Sequence, residues 1–273
     1  HSEYYIGLLV NWWENPESKH IVTQLLPHLD NIYAAWEWAF NHQLYGLLSH
    51  AIIPFTQFHI YAGLVWNVLL LINTTYQKLQ ASSPLAPDHH TLSPNAGNGA
   101  HLSQAESYHE MHTALTYASG VFHHHLGNYE QATEYLRVAQ AAVFQHGLLY
   151  LAANIEHYLA NICRLSQLLE RAKELFALAI RHAEEQKQPY TMILSRLYLA
   201  VTANQQGQPE EGMSHLQQAT LMPRQHPDVS LDAIHYDISS DIYHAQGRWS
   251  DALASSQKKV EINLQQRYPS ESF

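Results

Sequence analysis

Charged side chains are scarce in this sequence, and basic ones are the scarcer of the two kinds. Only 14% of the 273 residues are Asp, Glu, Lys or Arg, and the formal net charge is −10 with histidine neutral. An acidic chain without a basic run repels phosphate backbones, so we expect no direct nucleic-acid ligand. Hydrophobic residues reach 46%, which is enough to bury a sizeable core and argues against a disordered chain.

Cysteine and long apolar runs are also nearly absent. Cys163 is the only cysteine, so no internal disulfide can form, and a reducing, cytoplasmic location is expected. The longest apolar run, residues 63–72, is interrupted by Asn67 and falls short of the roughly 18 residues that span a bilayer. The start at His1 has no signal-peptide pattern and is typical of a piece cut from a longer protein.

Motifs for catalysis and cofactors are missing as well. No glycine-rich loop ends in Gly-Lys-Ser or Gly-Lys-Thr, so the chain has no phosphate-binding loop of its own. Serine, histidine and aspartate are common, but no spacing places a nucleophile beside a base. The sequence therefore predicts a protein that is not an enzyme and needs neither a cofactor nor a metal.

What the sequence does contain is an internal repeat of small residues. Ala132, Ala172, Gly212 and Ala252 follow one another at intervals of 40 residues. Twelve residues before each of these lies a second small residue, in the order Gly120, Ala160, Ala200 and Ser240. Helices approach closely only where side chains are small, so each small pair predicts one crossing of two antiparallel helices.

Turn residues between the small positions have the same period. Gly127, Gly207 and Gly247 lie five residues before a small residue, and Gln167 takes that place in the second unit. Glycine adopts positive φ readily and ends helices, so these positions predict tight turns. The first helices are predicted at residues 103–126, 148–165, 189–206 and 228–246, and the second at residues 129–145, 169–186, 209–220 and 249–266. Ser103 and Glu106 form a capping box at the first start.

The small-residue pattern resembles the tetratricopeptide (TPR) family, whose usual period is about 34 residues. The resemblance covers residues 103–266 and implies an all-α, TPR-like α-solenoid, a right-handed superhelix of antiparallel helix pairs. Lys258, Lys259 and Glu261 make the last helix more polar, as a capping helix within residues 103–273 requires. An irregular helical bundle is the alternative fold.

The part before the repeats is predicted to be helical but irregular. Residues 1–80 carry recurring aromatics that we expect in the core, and residues 51–79 look like a degenerate helix pair with Gly63 near its turn. The core aromatics are expected to be Tyr4, Tyr5, Trp12, Trp13, Trp36, Trp38 and Phe40. Residues 81–102 are rich in proline, glycine and histidine, which predicts a flexible loop, either an insertion or a lid.

Residues 29–40 carry a second resemblance. The run Asp30-Asn31-Ile32-Tyr33-Ala34-Ala35 with Trp38-Ala39 is similar to the "E-x-x-N-L-R-A-A-L-x-W-A" segment of bacterial STAND ATPases, the LuxR-type and related signal-transduction regulators. In that family the segment follows a nucleotide-binding domain and precedes TPR repeats. The resemblance implies a sensor region whose intramolecular partner is the nucleotide-binding domain of the parent chain.

In TPR arrays the first helices line a concave groove, and the family's groove positions can be carried over. They fall on Tyr117, Val121, His124, His125, Asn154, His157, Asn161, Arg164, Leu194, Leu197, Val201, Asn204, Ile234, Asp237, Asp241 and His244. Asn161 and Arg164 share one helix face and could hold a carboxylate or a main chain, followed by an apolar middle and an acidic end. Such a groove suits an extended peptide, another protein's helix or a small effector.

Two features of these residues allow other interpretations. Asp237, Asp241 and His244 lie on one face at metal-ligand spacing, but a solvated polar stripe without metal is the favoured interpretation. His123, His124 and His125 point about 100° apart and cannot hold one ion together. We therefore expect either a ligand-binding sensor module of a STAND-type regulator or, alternatively, a free-standing TPR scaffold for protein–protein interactions.

Overall fold

A computed structural model describes residues 2–14, 24–82, 98–222 and 229–267, and within these ranges the chain is helical with no strand. This confirms the all-α prediction. Two short 3₁₀ turns, Leu26–His28 and Leu149–Leu151, accompany the α-helices. The helices are α1 (Ser2–Glu14), α2 (Leu29–Asn41), α3 (Tyr45–His50), α4 (Ile52–Tyr61), α5 (Val65–Ala81), α6 (Asn98–His125), α7 (Tyr129–His146), α8 (Ala152–Leu165), α9 (Leu169–Glu185), α10 (Pro189–Gln205), α11 (Pro209–Leu221), α12 (Val229–Ala245) and α13 (Trp249–Arg267).

The described helices fall into two compact units. Unit 1 holds α1 to α7 and ends at Leu151, and unit 2 holds α8 to α13 and begins at Ala152. The first of the four predicted pairs, α6 with α7, therefore belongs with the N-terminal helices, whereas the other three pairs make up unit 2.

The predicted helix pairs are present with nearly the predicted bounds. In each pair the first helix packs closely against the second: α6 on α7, α8 on α9, α10 on α11 and α12 on α13. The largest departure is at α6, which begins at Asn98 and not at Ser103, so the capping-box start was wrong. Residues 83–97 of the predicted loop lie outside the described residues, and residues 98–102 are helical.

Every described pair turns in the same way. Gly127, Gly207 and Gly247 have φ of 78°, 76° and 73°, which confirms the predicted left-handed turns. In the first turn the N–H of Gly127 donates to the carbonyl of His124 at 3.1 Å. Gln167 takes the same conformation at φ 62° although it is not glycine, because the hydrogen bonds of this helix end require it.

The small residues lie where the paired helices touch. A Cβ added to Gly120 would come within 2.7 Å of Leu136 Cγ on α7, and one added to Gly212 within 2.9 Å of the Ala200 carbonyl on α10. In the last pair, Ser240 donates a hydrogen bond to the carbonyl of Ala252 at 3.0 Å. The prediction that small residues mark helix crossings is therefore confirmed in these three pairs.

Unit 1 packs its N-terminal helices with aromatic rings. Trp36 is fully buried and stacks on Phe55 at 4.2 Å between ring centroids, which joins α2 to α4. Helices α4 and α5 lie where the degenerate pair was predicted, with Gly63 at φ 69° between them, but they contact each other far less than the helices of the four later pairs do. Two of the expected core aromatics, Tyr4 and Trp38, are instead 63% and 46% exposed, because they lie on the outer faces of α1 and α2.

Candidate partner-binding surface

The predicted groove residues of unit 2 belong to α8, α10 and α12. These three first helices are neighbours, since α8 packs on α10 and α10 packs on α12. Their facing sides are therefore close together, and the contacts between them decide which predicted residues remain open to a ligand.

Asn154 and His157 are used in the contact between α8 and α10. The Asn154 amide donates to Gln188 at 3.4 Å and accepts from the Thr191 hydroxyl at 3.2 Å. His157 Nδ1 lies 3.0 Å from the Ser195 hydroxyl. Both side chains are only 4–5% exposed. Both side chains thus bridge α8 and α10, and a role of either in binding a ligand stays a prediction.

Asn161 and Arg164 form a fixed pair at the end of α8. The guanidinium donates two hydrogen bonds to Asn161 Oδ1, at 3.0 and 2.8 Å, and Asn161 itself is 5% exposed. Arg164 also lies over the Tyr198 ring at 5.5 Å and within 3.5 Å of the Gln205 amide oxygen. Asn161 thus holds the half-buried Arg164 in place, and its own contact with a ligand stays a prediction.

The apolar middle of the predicted groove is filled by packing. Leu197 is fully buried in the hydrophobic core that joins α10, α11 and α12, and Leu194, Val201 and Ile234 pack against that core. Leu197 is therefore closed to a ligand by packing, whereas Leu194, Val201 and Ile234 are only partly buried. Asn204, one helical turn after Ala200, is half-buried.

The acidic end of the predicted groove, formed by Asp237, Asp241 and His244, is exposed. Lys259 Nζ contacts Asp237 Oδ1 at 2.5 Å, which ties α13 to α12. Burial and the Asp237 charge raise the pKa of Asp241, whereas Lys259 and His244 lower it. His244 turns toward Trp249, with ring centroids 4.6 Å apart. Among the described side chains no three potential ligands converge on a metal position.

Tyr198 is a half-buried residue that the sequence did not single out, and its ring packs against His157 and Phe176. Burial raises the pKa of its phenol, Arg164 lowers it and Asp237 raises it, so the ring lies within electrostatic reach of both charges. The groove positions carried over from TPR repeats include Leu197 but not the next residue, so Tyr198 was not among the predicted site residues. The surface formed by Arg164, Tyr198, Asp237 and Asp241 is called the charged row below.

In unit 1 the predicted groove residues are mostly inaccessible. Tyr117 and Val121 are fully buried and His124 is 9% exposed, whereas His125 is exposed. This side of α6 therefore serves packing, and a contact of Tyr117 or His124 with a ligand stays a prediction.

A buried acid–base pair in unit 2 was also not foreseen. His182 Nδ1 on α9 lies 2.7 Å from Glu156 Oε2 on α8, and the Glu156 side chain is 1% exposed. Burial raises the pKa of Glu156, and the hydrogen bond from His182 lowers it. The pair lies between the two helices of one repeat, so it acts as a polar contact within that repeat.

Comparison with known proteins adds no relative, since the sequence matches no protein-family model and no curated protein. None of the helices that the structure describes combines the length and the hydropathy needed to cross a bilayer.

Proposed function

We propose that this chain is the TPR-like sensor module of a STAND-type regulator, which binds a protein, a peptide or a small effector and so controls a linked nucleotide-binding domain. In this proposal the module works in the cytoplasm, has no catalytic activity of its own and holds no cofactor. The ligand acts by binding one conformation of the regulator more tightly than the other, since equal affinity would shift nothing.

The observation that carries the proposal is the repetition of one helix-pair geometry. The left-handed turn residues at 127, 167, 207 and 247 keep the 40-residue period, and small residues lie at the pair contacts. Pairs of one geometry that bury their apolar faces only against neighbours stack into arrays, and such arrays present extended surfaces for recognition. The segment on α2 that is similar to STAND proteins supports the regulator context.

The charged row gives this surface a chemical preference. A guanidinium held by Asn161 stands at one end, a phenol follows, and two carboxylates on α12 stand at the other, one of them paired with Lys259. Arginine binds carboxylates bidentately, and Asp241 accepts hydrogen bonds from cationic or neutral donors. A partner that carries an acidic group and a basic group in the opposite order fits this row.

The parent gene tests the regulator context. We expect a Gly-x-x-x-x-Gly-Lys-Ser or -Thr motif upstream of the codon for His1. If the upstream sequence contains only further repeats, the scaffold alternative holds and the regulator proposal fails.

The charged row is tested in the full-length parent protein by ATP hydrolysis. A double variant, Arg164→Glu with Asp241→Lys, reverses the charge at both ends of the row. It should change the rate of ATP hydrolysis or the response of that rate to a cell extract. Arg171→Glu is the matched control, because Arg171 is 61% exposed on α9, away from the row. Equal rates and responses for all three proteins would refute a role for the row.

A further inference from the structure

Helices α8 and α9 of unit 2 enclose a carboxyl group that is bonded at only one of its two oxygens. Glu156 on α8 is fully buried, with a side chain that is 1% exposed. Its Oε2 lies 2.7 Å from His182 Nδ1 on α9, whereas its Oε1 has no hydrogen-bond partner among the described residues. An ionised carboxylate accepts hydrogen bonds at both oxygens, so a buried one that lacks a partner at one oxygen is costly.

His182 connects this buried carboxyl group to solvent. Its side chain is 18% exposed, so the imidazole can exchange a proton with water while Glu156 stays covered. Histidine is the side chain whose ordinary titration lies nearest to neutral pH. The two groups therefore form one proton-binding site with a buried end and an exposed end, which is named the acid–base pair below.

The acid–base pair is electrically neutral only when it holds one proton beyond ionised Glu156 and neutral His182. Without that proton the buried carboxylate leaves a net negative charge between the helices. With a second proton the imidazolium leaves a net positive charge. A net charge is poorly solvated in a protein interior, so burial favours the state with one proton.

The charges on α9 around the pair do not replace this proton. Arg181 stabilises the ionised form of Glu156 and Glu185 destabilises it, so their effects oppose each other. Burial is the largest influence and raises the pKa of Glu156, whereas the hydrogen bond from His182 lowers it.

The side of α8 that faces α10 adds no compensating charge either. Thr191 and Ser195 contact α8 there through neutral hydroxyls. Burial raises the pKa of the Tyr198 phenol, so that group is neutral at physiological pH as well. On α8 itself, His157 contacts Ser195, and Arg164 lies about two turns beyond the acid–base pair.

Other helix pairs close without an acid and a base at this register. Thr116 and Ala142 take the two places in the first pair, and Tyr236 and Ile262 take them in the fourth. Ile262 is 8% exposed, so an apolar side chain fills the position that corresponds to His182. The acid–base pair thus adds a titratable contact that forming a helix pair does not require.

We propose that the acid–base pair is a pH-sensitive contact, which holds α8 against α9 while it carries one proton and weakens when that proton leaves as the pH rises. The contact acts on the helix that carries Arg164, so loss of the proton loosens the α8 end of the charged row. The proposal concerns the pair alone and holds for a regulator and for a scaffold.

Amide hydrogen exchange of the whole chain, expressed as protection factors, tests this contact over a pH series from about 5 to about 8. Because folding raises the pKa of Glu156 above its ordinary 4.5, the stability that the proton confers is lost as the pH rises through the raised value. We expect the protection of α8 and α9 to fall about tenfold across the series. Protection that stays level would overturn the proposal.

Glu156→Gln keeps the size of the side chain and removes its titration, so this variant should lose the fall in protection. Glu110→Gln is the matched control, because burial also raises the pKa of Glu110, which lies on α6 in unit 1. The control should retain the fall in α8 and α9. A fall of the same size in both variants would overturn the proposal.

Carboxyl-carbon NMR of labelled glutamate detects the proton in the unmodified chain, so the test stands even if Glu156→Gln does not fold. The resonance of Glu156 should titrate at higher pH than those of exposed glutamates. His182→Phe keeps a ring and removes the hydrogen bond that lowers the pKa of Glu156, so the titration should move to still higher pH. A Glu156 resonance that titrates with the exposed glutamates, or that His182→Phe leaves unmoved, would overturn the proposal.

Discussion

The N-terminal helices of unit 1 and the helix pairs of unit 2 share a turn but differ in what lies between their helices. Gln43 and Gly63 in unit 1 have positive φ, as do Gln167, Gly207 and Gly247 in unit 2. Between α2 and α4 of unit 1, however, the rings of Trp36 and Phe55 fill the contact, whereas the pairs of unit 2 use residues as small as Gly212.

The difference shows how a repeat keeps its geometry. A small residue at a crossing lets two backbones meet directly, so the distance between helices is the same each time. A large ring sets the distance between only those helices that it contacts, so neither the interhelix distance nor the helix length has to repeat along the chain. Unit 1 accordingly contains helices as short as Tyr45–His50, whereas those of unit 2 have 13 to 19 residues.

Removing a ring should be the most damaging change to unit 1. Trp36→Ala should reduce the free energy of unfolding by about 3–5 kcal/mol, because it leaves a large cavity between α2 and α4. Denaturant titration measures the loss. Trp38→Ala, on the same helix but 46% exposed, should cost far less. Equal losses for both variants would show that the ring contact is not what holds these helices.

Acid should weaken unit 1 through a buried histidine. Burial lowers the pKa of His59 from 6.5 to about 4, and its side chain is fully buried between the Phe55 carbonyl and the Tyr33 hydroxyl. Between pH 6.5 and about 4 the unfolded chain therefore binds a proton at this histidine, whereas the folded chain does not. The free energy of unfolding thus falls as the pH drops across that range. The loss approaches about 3 kcal/mol.

In unit 2 a buried carboxyl group has a shifted pKa whose effect on stability at low pH is opposite to that of His59. Burial raises the pKa of Glu156, so the folded chain takes up that proton more readily than the unfolded chain, which opposes an acid loss.

His59→Gln should flatten the decline in stability between pH 6.5 and 4, as measured by denaturant titration across that range. An unchanged slope would exclude His59 as its source.

One substitution should have opposite effects in the two units. Gly212→Ala should cost about 1–3 kcal/mol, because the added Cβ would lie 2.9 Å from the Ala200 carbonyl, a backbone atom that cannot turn away. Gly46→Ala in α3 meets nothing within 4 Å and should stabilise by up to about 1 kcal/mol. Thermal unfolding of both variants checks this, and effects of the same sign would contradict the packing difference.

The smallest expected effect concerns the turn that both units share. Gln167 has φ 62°, a conformation that costs a side chain about 1 kcal/mol and costs glycine little. Gln167→Gly should therefore stabilise by up to that amount, and Gly207→Gln should destabilise similarly. Denaturant titration resolves both changes. A loss on Gln167→Gly would mean that the Gln167 side chain makes a contact worth more than the strain.

The helix pairs could be predicted from sequence because their causes are local. A glycine at a turn and a small residue at a crossing act within one pair, so their spacing in the chain is enough to locate them. Gln167 shows the limit of that reasoning, since only the matching register revealed its turn.

The candidate surface could be predicted only in part. Whether Asn154 or His157 faces a ligand depends on how tightly α8 packs on α10. That contact joins two helix pairs, and the residue spacing within one pair does not predict it. Asp237 and Asp241 are exposed on α12, so their role as ligand-binding residues stays a prediction, whereas Tyr198 was identified only from its position between two charges.

We infer that small side chains set the contact within each of the four helix pairs, and Ala172 in the second pair probes that claim. Ala172 is fully buried at the register where Gly212 touches α10. We predict that Ala172→Leu lowers the free energy of unfolding by about 1–3 kcal/mol through overpacking. Ala254→Leu, at an exposed position on α13, should change it by less than about 0.5 kcal/mol. An Ala172→Leu protein as stable as the unmodified chain would contradict the claim.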